Sequence, residues 1–225
     1  MRKLLFLCVC FIGLIPCFSC AQSGEDMLIY QIDGNRYFRK NFDANGKLKS
    51  YQTLDVGKLN VQPKKIEAKL TVNTFDEKGG LKGASQTIIS CDPEAGEVMM
   101  GIFPFAGDGS NKSLKIISPS NKRLYPPRWR KEAVLEDFTY QLKIKGGAAG
   151  FFGTESQVSF SNRKVRQLEI DLFRISGKMT MTAYILGIKI STLDYNFFEE
   201  IKTGKGIVRQ RFEEENGDFF TVEIQ

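Results

Sequence analysis

The chain has 225 residues, 42% of them hydrophobic and 26% charged, with a formal charge of +6. That composition excludes a collagen-like chain, a disordered chain and a polytopic membrane protein. The absence of histidine excludes Ser-His-Asp triads, Cys-His dyads and histidine-bearing zinc sites.

The first signal along the chain is a leader over residues 1–20. Arg2 and Lys3 give a positive start, residues 4–15 are almost unbroken apolar sequence, and Pro16 ends the run before the small residues Ser19, Cys20 and Ala21. This is the layout of a secretory signal peptide, with an apolar core too short for a permanent membrane span. Cys17-Phe18-Ser19-Cys20 resembles a lipobox that would acylate Cys20, and cleavage after Ala21 is the rival reading. Loss of the leader removes two basic residues and no acidic one, leaving a charge of about +4. That balance gives weak attraction to anionic envelope polymers but no nucleic-acid footprint.

Cys8, Cys10 and Cys17 fall in the leader and Cys20 at its edge, so Cys91 is the one cysteine of the body. Without Cys20 as partner it makes no internal disulfide, and it reads as a small buried hydrophobe. Residues 21–225 are long enough for one core that buries roughly 70% of the unfolded surface. One domain is expected there, with room for a loosely attached N-terminal region.

Strand signals then dominate. In residues 65–75, Ile66, Ala68, Leu70 and Val72 alternate with polar partners, the period-2 mark of a half-buried strand. Asp76-Glu77-Lys78-Gly79-Gly80 is a turn whose glycines allow positive φ, so residues 65–90 read as a hairpin. Residues 97–105 read as an apolar strand, residues 113–117 as a short one. Residues 138–145 alternate through Phe138, Tyr140, Leu142 and Ile144. Residues 156–165 place Val158 and Phe160 on one face, and Met179, Met181 and Ala183 share another. The C-terminal third reads as a meander: residues 192–201, the turn Thr203-Gly204-Lys205-Gly206, residues 207–214, the hairpin signal Asn216-Gly217, and residues 219–225.

Short strands joined by tight turns point to an antiparallel all-β domain, and such a sheet must curl or add a layer to bury its apolar face. The expected architecture is one strongly curved antiparallel sheet or open barrel, preceded by a signal-peptide helix. The 18 phenylalanines suit a thick core or a hydrophobic groove.

From residue 114 onward the chain resembles a group of exported bacterial β-proteins of unknown function, sometimes called TapB-like. The resemblance rests on Ile116-Ile117-Ser118-Pro119-Ser120-Asn121, Leu135-Glu136-Asp137, Ser161-Asn162-Arg163-Lys164-Val165, the closing Thr203-Gly204-Lys205-Gly206-Ile207-Val208 and the hairpin at Asn216. This chain departs from the group at Arg130-Lys131-Glu132-Ala133, where glycine is usual, and over residues 166–176, which lack a Pro-Ala-Gly turn. The resemblance implies no catalytic residue.

Two loops carry candidate chemistry. Tyr125, Arg128 and Arg130 stand beside Trp129, the only tryptophan, and two prolines, a combination that offers flat apolar surface beside cations for a sugar or a headgroup. The same residues also read as a connecting loop whose Trp129 plugs the end of the sheet. Phe151 and Phe152 follow a glycine run, and as aromatic tips of a hairpin loop they would contact lipid, glycan or protein. Neither that run nor residues 203–206 has the ending or the helix of a phosphate loop. Neighbouring carboxylates such as Glu199 and Glu200 point to opposite faces of a strand and make no hydrolytic pair.

The residues thus point to an exported protein, periplasmic or attached to the outer membrane as a lipoprotein, with no cofactor and no metal. A non-enzymatic binding or accessory role leads, a carrier of a hydrophobic ligand on the concave face follows, and a carboxylate hydrolase is the remote third. Expected partners are a lipid, a glycan or another envelope protein, with membrane contact only through an N-terminal lipid and no nucleic acid.

Overall fold

The computed structural model describes residues 32–93, 111–119, 124–126, 129–146 and 154–224. The leader with Cys20, the expected strand at 97–105, Arg128, Phe151 and Phe152 lie outside the described residues.

Among the described residues the secondary structure is thirteen strands: β1 (Arg36–Phe42), β2 (Leu48–Val56), β3 (Asn60–Gln62), β4 (Lys65–Asp76), β5 (Leu81–Cys91), β6 (Lys112–Ile117), β7 (Val134–Leu135), β8 (Phe138–Gly146), β9 (Glu155–Gln167), β10 (Leu172–Ile185), β11 (Ile188–Lys202), β12 (Gly206–Glu214) and β13 (Phe219–Ile224). Eleven of them form one ring in the order β10-β11-β12-β13-β1-β2-β4-β5-β6-β8-β9. β9 and β10 lie against each other and close it. The Thr154 N–H donates to the Tyr184 carbonyl at 2.9 Å, and the Leu168 N–H donates to the Leu172 carbonyl at 2.8 Å. The sheet is therefore a closed barrel, not the open one the strand pattern suggested. Closure pairs both edges of the sheet, which removes the exposed ladder groups that an open edge would leave. β3 continues β2 along the same edge of β4, from Val56↔Leu70 to Asn60↔Glu67 with a shift of one residue. β7 continues β8 along β9, because Val134↔Lys164, Leu135↔Arg163 and Phe138↔Phe160 keep one register.

Two further points differ from the sequence reading. β1 and β2 sit between β13 and β4 as full barrel staves, so residues 36–56 are integral rather than loosely attached. β5 and β6 pair in parallel, Ser90 opposite Lys115, so the barrel is antiparallel with one exception. The hairpin at 65–90 and the C-terminal meander stand where the alternation placed them.

Closure needs a glycine at one place. A Cβ on Gly177 in β10 would stand 2.7 Å from the Ser161 carbonyl oxygen and 3.1 Å from the Phe197 ring. The β9–β10 seam is too close there for any side chain.

The interior is filled from several staves. Phe160 meets Phe197 edge-on at 5.3 Å, Phe212 stacks on Phe220 at 4.9 Å, and Tyr195 sits edge-on to both Phe212 and Phe220. Each such ring contributes its burial, about 1.5–3 kcal/mol for a phenylalanine, plus about 0.5–1.5 kcal/mol for each aromatic pair. The barrel has two unlike ends. The Trp129 end receives the β6–β8 link, and the Gly187 end carries the turns β1–β2, β4–β5, β10–β11 and β12–β13.

Candidate functional site

The aromatic cluster of the β6–β8 link folds inward. Leu124 and Tyr125 are buried, and Trp129 packs half-buried against the core, its ring stacked on Phe173 at 5.6 Å and tilted against Tyr125 at 6.4 Å. Arg130 is exposed. The structure therefore brings Tyr125 and Trp129 together as a plug at the barrel end and leaves Arg130 outside it.

The plug is tied to the barrel by polar groups the sequence did not mark as a unit. The Tyr125 hydroxyl donates to Oε2 of Glu199 at 2.9 Å, and the Gln210 amide donates to Oε1 at 2.6 Å. Glu199 is buried, and burial pushes its carboxyl up, against the pull of Gln210, Tyr125 and Arg163. Arg163 is buried as well, at 3% exposure. Its guanidinium donates to the carbonyls of Leu124 and Glu136, the latter also through Nε at 3.1 Å. Leu124 lies within the link before Trp129 and Glu136 lies near its end before β8, so one side chain holds the plug segment at two points. Arg163 can point inward because Asn162 adopts φ 54°. The inward positions on β9 then run Ser156, Val158, Phe160 and afterwards Arg163 and Val165. Asparagine tolerates that left-handed conformation better than most residues. The Tyr140 hydroxyl and Oε1 of Gln210 have no hydrogen-bond partner among the described residues.

A different place on the molecule has the form of a binding site. On the outer flank of β4, β5, β6 and β8 a groove of about 740 Å³ is lined by five lysines, Lys64, Lys65, Lys115, Lys143 and Lys145, against two acids, Glu67 and Asp92, with Ile88, Ser90 and Ser113 between them. The register explains it. Ser90 lies opposite Lys115, Lys115 opposite Lys143, and Ser113 opposite Lys145. Short side chains on β5 and β6 leave a floor, and long lysines on the neighbouring positions make the walls. Lys115 and Lys143 face each other directly across an antiparallel pair, an arrangement that disfavours the sheet by like-charge repulsion. Lys65 pairs with Glu67, and Lys143 reaches Glu155 at only 4.0 Å. Among the described residues Lys115 and Lys145 have no acidic partner.

The opposite flank shows what neutralised cations look like in this barrel. Arg174, Glu200, Arg209 and Glu223 succeed one another across β10, β11, β12 and β13. Arg174 pairs with Glu200 and Arg209 with Glu223, and both guanidinium groups lie over the Phe198 ring. Arg211 pairs with Glu213 and covers Phe219 at 3.6 Å. Those arginines serve the sheet. The lysines of the groove have no such matching set of carboxylates.

Sequence reasoning missed the groove because no short segment contains it. Lys143 and Lys145 do alternate on the polar face of β8, which was legible. Their meeting with Lys115 and Ser90 depends on the parallel β5–β6 pair, which no turn announces. Cys91 lies at the groove's edge but is buried, and burial pushes its thiol up to about 12. It stays protonated and inert.

No protein-family model matches the chain, and no curated protein matches it. Solved structures are similar to it. One is a candidate exported protein with YmcC-like fold from Bacteroides fragilis, 16% identical, covering 85% of this chain and 94% of its own, with a TM-score of 0.44. Another is a candidate lipoprotein from Parabacteroides distasonis, 14% identical, covering 86% of this chain and 94% of its own, with a TM-score of 0.47.

Proposed function

We propose that the protein is an exported, non-enzymatic binding protein of the bacterial cell envelope, and that it holds an anionic glycan along the lysine groove. The observation that carries this reading is the facing pair Lys115 and Lys143 above a floor of Ser90 and Ser113. Two cations kept opposite each other repel, and a bound carboxylate or phosphate between them turns that cost into a gain. Hydroxyls on the floor suit the hydroxyls of a sugar.

Export rests on the leader over residues 1–20, with Cys20 as the candidate acylation site, and the TapB-like resemblance agrees with it. The packed aromatic interior favours binding on the outer wall over carriage of a lipid inside. The buried Glu199 is walled in by the plug, and Glu200 faces outward to Arg174, which favours binding over hydrolysis.

The test is titration with polygalacturonate, a polyanionic glycan, against neutral dextran. Binding to polygalacturonate that weakens as salt rises, and a loss of at least about tenfold in the Lys115→Glu, Lys143→Glu double variant, is expected. Equal binding by wild type and double variant, or equal affinity for dextran, sinks the proposal.

A further inference from the structure

The β10–β11 hairpin at the Gly187 end does something its sheet does not require. It turns on Leu186 and Gly187, with φ of 50° and 78°, the doubly left-handed geometry of a tight I′ turn. Asparagine or aspartate normally fills the first of these positions. A leucine held in the left-handed region is strained. Here it is also 91% exposed, with Ile188 at 70% and Ile190 at 45%. The chain thus accepts backbone strain and solvent contact to keep three aliphatic side chains at one tip. Strain of this kind points to a use.

Lys189 lies within the tip. Lys143 and Glu155 share a hollow of about 250 Å³ with Tyr184 and Gly187 at its base. Of the five residues from Leu186 to Ile190, three are aliphatic, one is the turn glycine and one, Lys189, is cationic. On the other side, β11 pairs with β12 only from Tyr195 onward, so residues 188–194 reach past the neighbouring stave. The tip is a two-stranded ribbon closed by a two-residue turn. It offers no face broad enough for a stable protein interface, but its apolar point and its cation match a fluid, negatively charged surface.

We propose that this hairpin tip seats the protein on an anionic bilayer. Leu186, Ile188 and Ile190 enter the interface between headgroups and acyl chains, and Lys189 remains at the level of the phosphates. Burial of three aliphatic side chains with one cation gives a weak, reversible contact that depends on anionic lipid. The inserting residues Leu186, Ile188, Lys189 and Ile190 do not line the lysine groove, although Lys143 lines both the groove and the hollow beside the tip.

The experiment places a reporter on the tip itself, so that other membrane contacts do not enter. Ile188→Trp is measured with vesicles of phosphatidylglycerol and phosphatidylcholine, with Trp129 emission subtracted from the parent protein. A blue shift and quenching by lipids brominated near the headgroup are expected, and both should fall at least about fivefold in pure phosphatidylcholine. Adding Leu186→Asn should abolish the signal while the protein melts no lower, because asparagine suits the turn better. Both variants should still bind polygalacturonate, which keeps this test separate from that of the groove. Absence of quenching overturns the proposal. So does equal quenching without anionic lipid, and so does a blue shift that follows protein concentration without vesicles, which would assign the tip to a second copy of the chain.

Discussion

At the Trp129 end, the β6–β8 link folds into the barrel and buries Leu124 and Tyr125 with Trp129 packed beside them, while Arg130 and Val134 stay exposed. Tyr125 reaches Glu199, Trp129 stacks on Phe173, and Arg163 holds the carbonyls of Leu124 and Glu136. At the Gly187 end, the β10–β11 hairpin holds Leu186, Ile188 and Ile190 out in solvent. Both ends are rich in apolar residues, so composition does not tell them apart. What differs is whether a polar anchor draws the segment inward. A lone buried arginine with two carbonyls to serve provides that anchor at one end, and a strained turn pointing away from the sheet excludes it at the other. The first arrangement is built for stability, the second for contact.

The comparison breaks first at Arg163. Replacement by methionine leaves the Leu124 and Glu136 carbonyls without their donor and Glu199 without a neighbouring cation. A loss of about 3 kcal/mol is expected from urea unfolding. If Arg163→Met unfolds at the wild-type midpoint, the link is not pinned as described.

Trp129→Ala comes next. It empties one half-buried site of the plug and should cost about 2–3 kcal/mol, less than full burial would give. Binding of polygalacturonate should be unchanged after correction for folded fraction. A variant that melts normally but loses ligand would instead make the plug a recognition surface.

Glu199→Gln sharpens the contrast with the smallest effect. Burial raises the folded-state pKa of Glu199 above its ordinary value. The stability this group contributes is therefore complete at pH below the ordinary carboxylate range and is lost as pH rises through the raised value. Glutamine keeps the shape, and the Tyr125 hydroxyl can reverse to accept from its amide. The variant should match wild type near pH 4 and exceed it by about 1 kcal/mol at pH 8. Parallel stability profiles for the two proteins across that range would show that Glu199 is not a strained buried acid.

Much of this fold was legible from local pattern. The alternation of Ile66, Ala68, Leu70 and Val72 placed β4, and Phe220 with Val222 placed the inner face of β13, because a period of two survives without any knowledge of partners. β1 and β2 were as readable in kind, with Asp43-Ala44-Asn45-Gly46 as their turn, but aromatic and basic residues interleave there and hide the apolar face. Of the candidate site residues, Tyr125 and Trp129 were seen as a cluster, and their role as a plug was one of two readings that local chemistry left open. Arg163 stood in a quoted motif without a role, since a long cation in a strand gives no sign of which way it points until Asn162 shifts the alternation.

The amino-acid sequence alone determined that the chain forms strands, where most of them turn, and that imidazole chemistry is absent, because these follow from side-chain period, glycine and composition. Only the tertiary structure decided that the ring closes, which side of it each lysine faces and which apolar segment is sheltered. Those outcomes depend on pairing between residues far apart in the chain. A parallel pair such as β5–β6 or a seam such as β9–β10 leaves no mark in any short window.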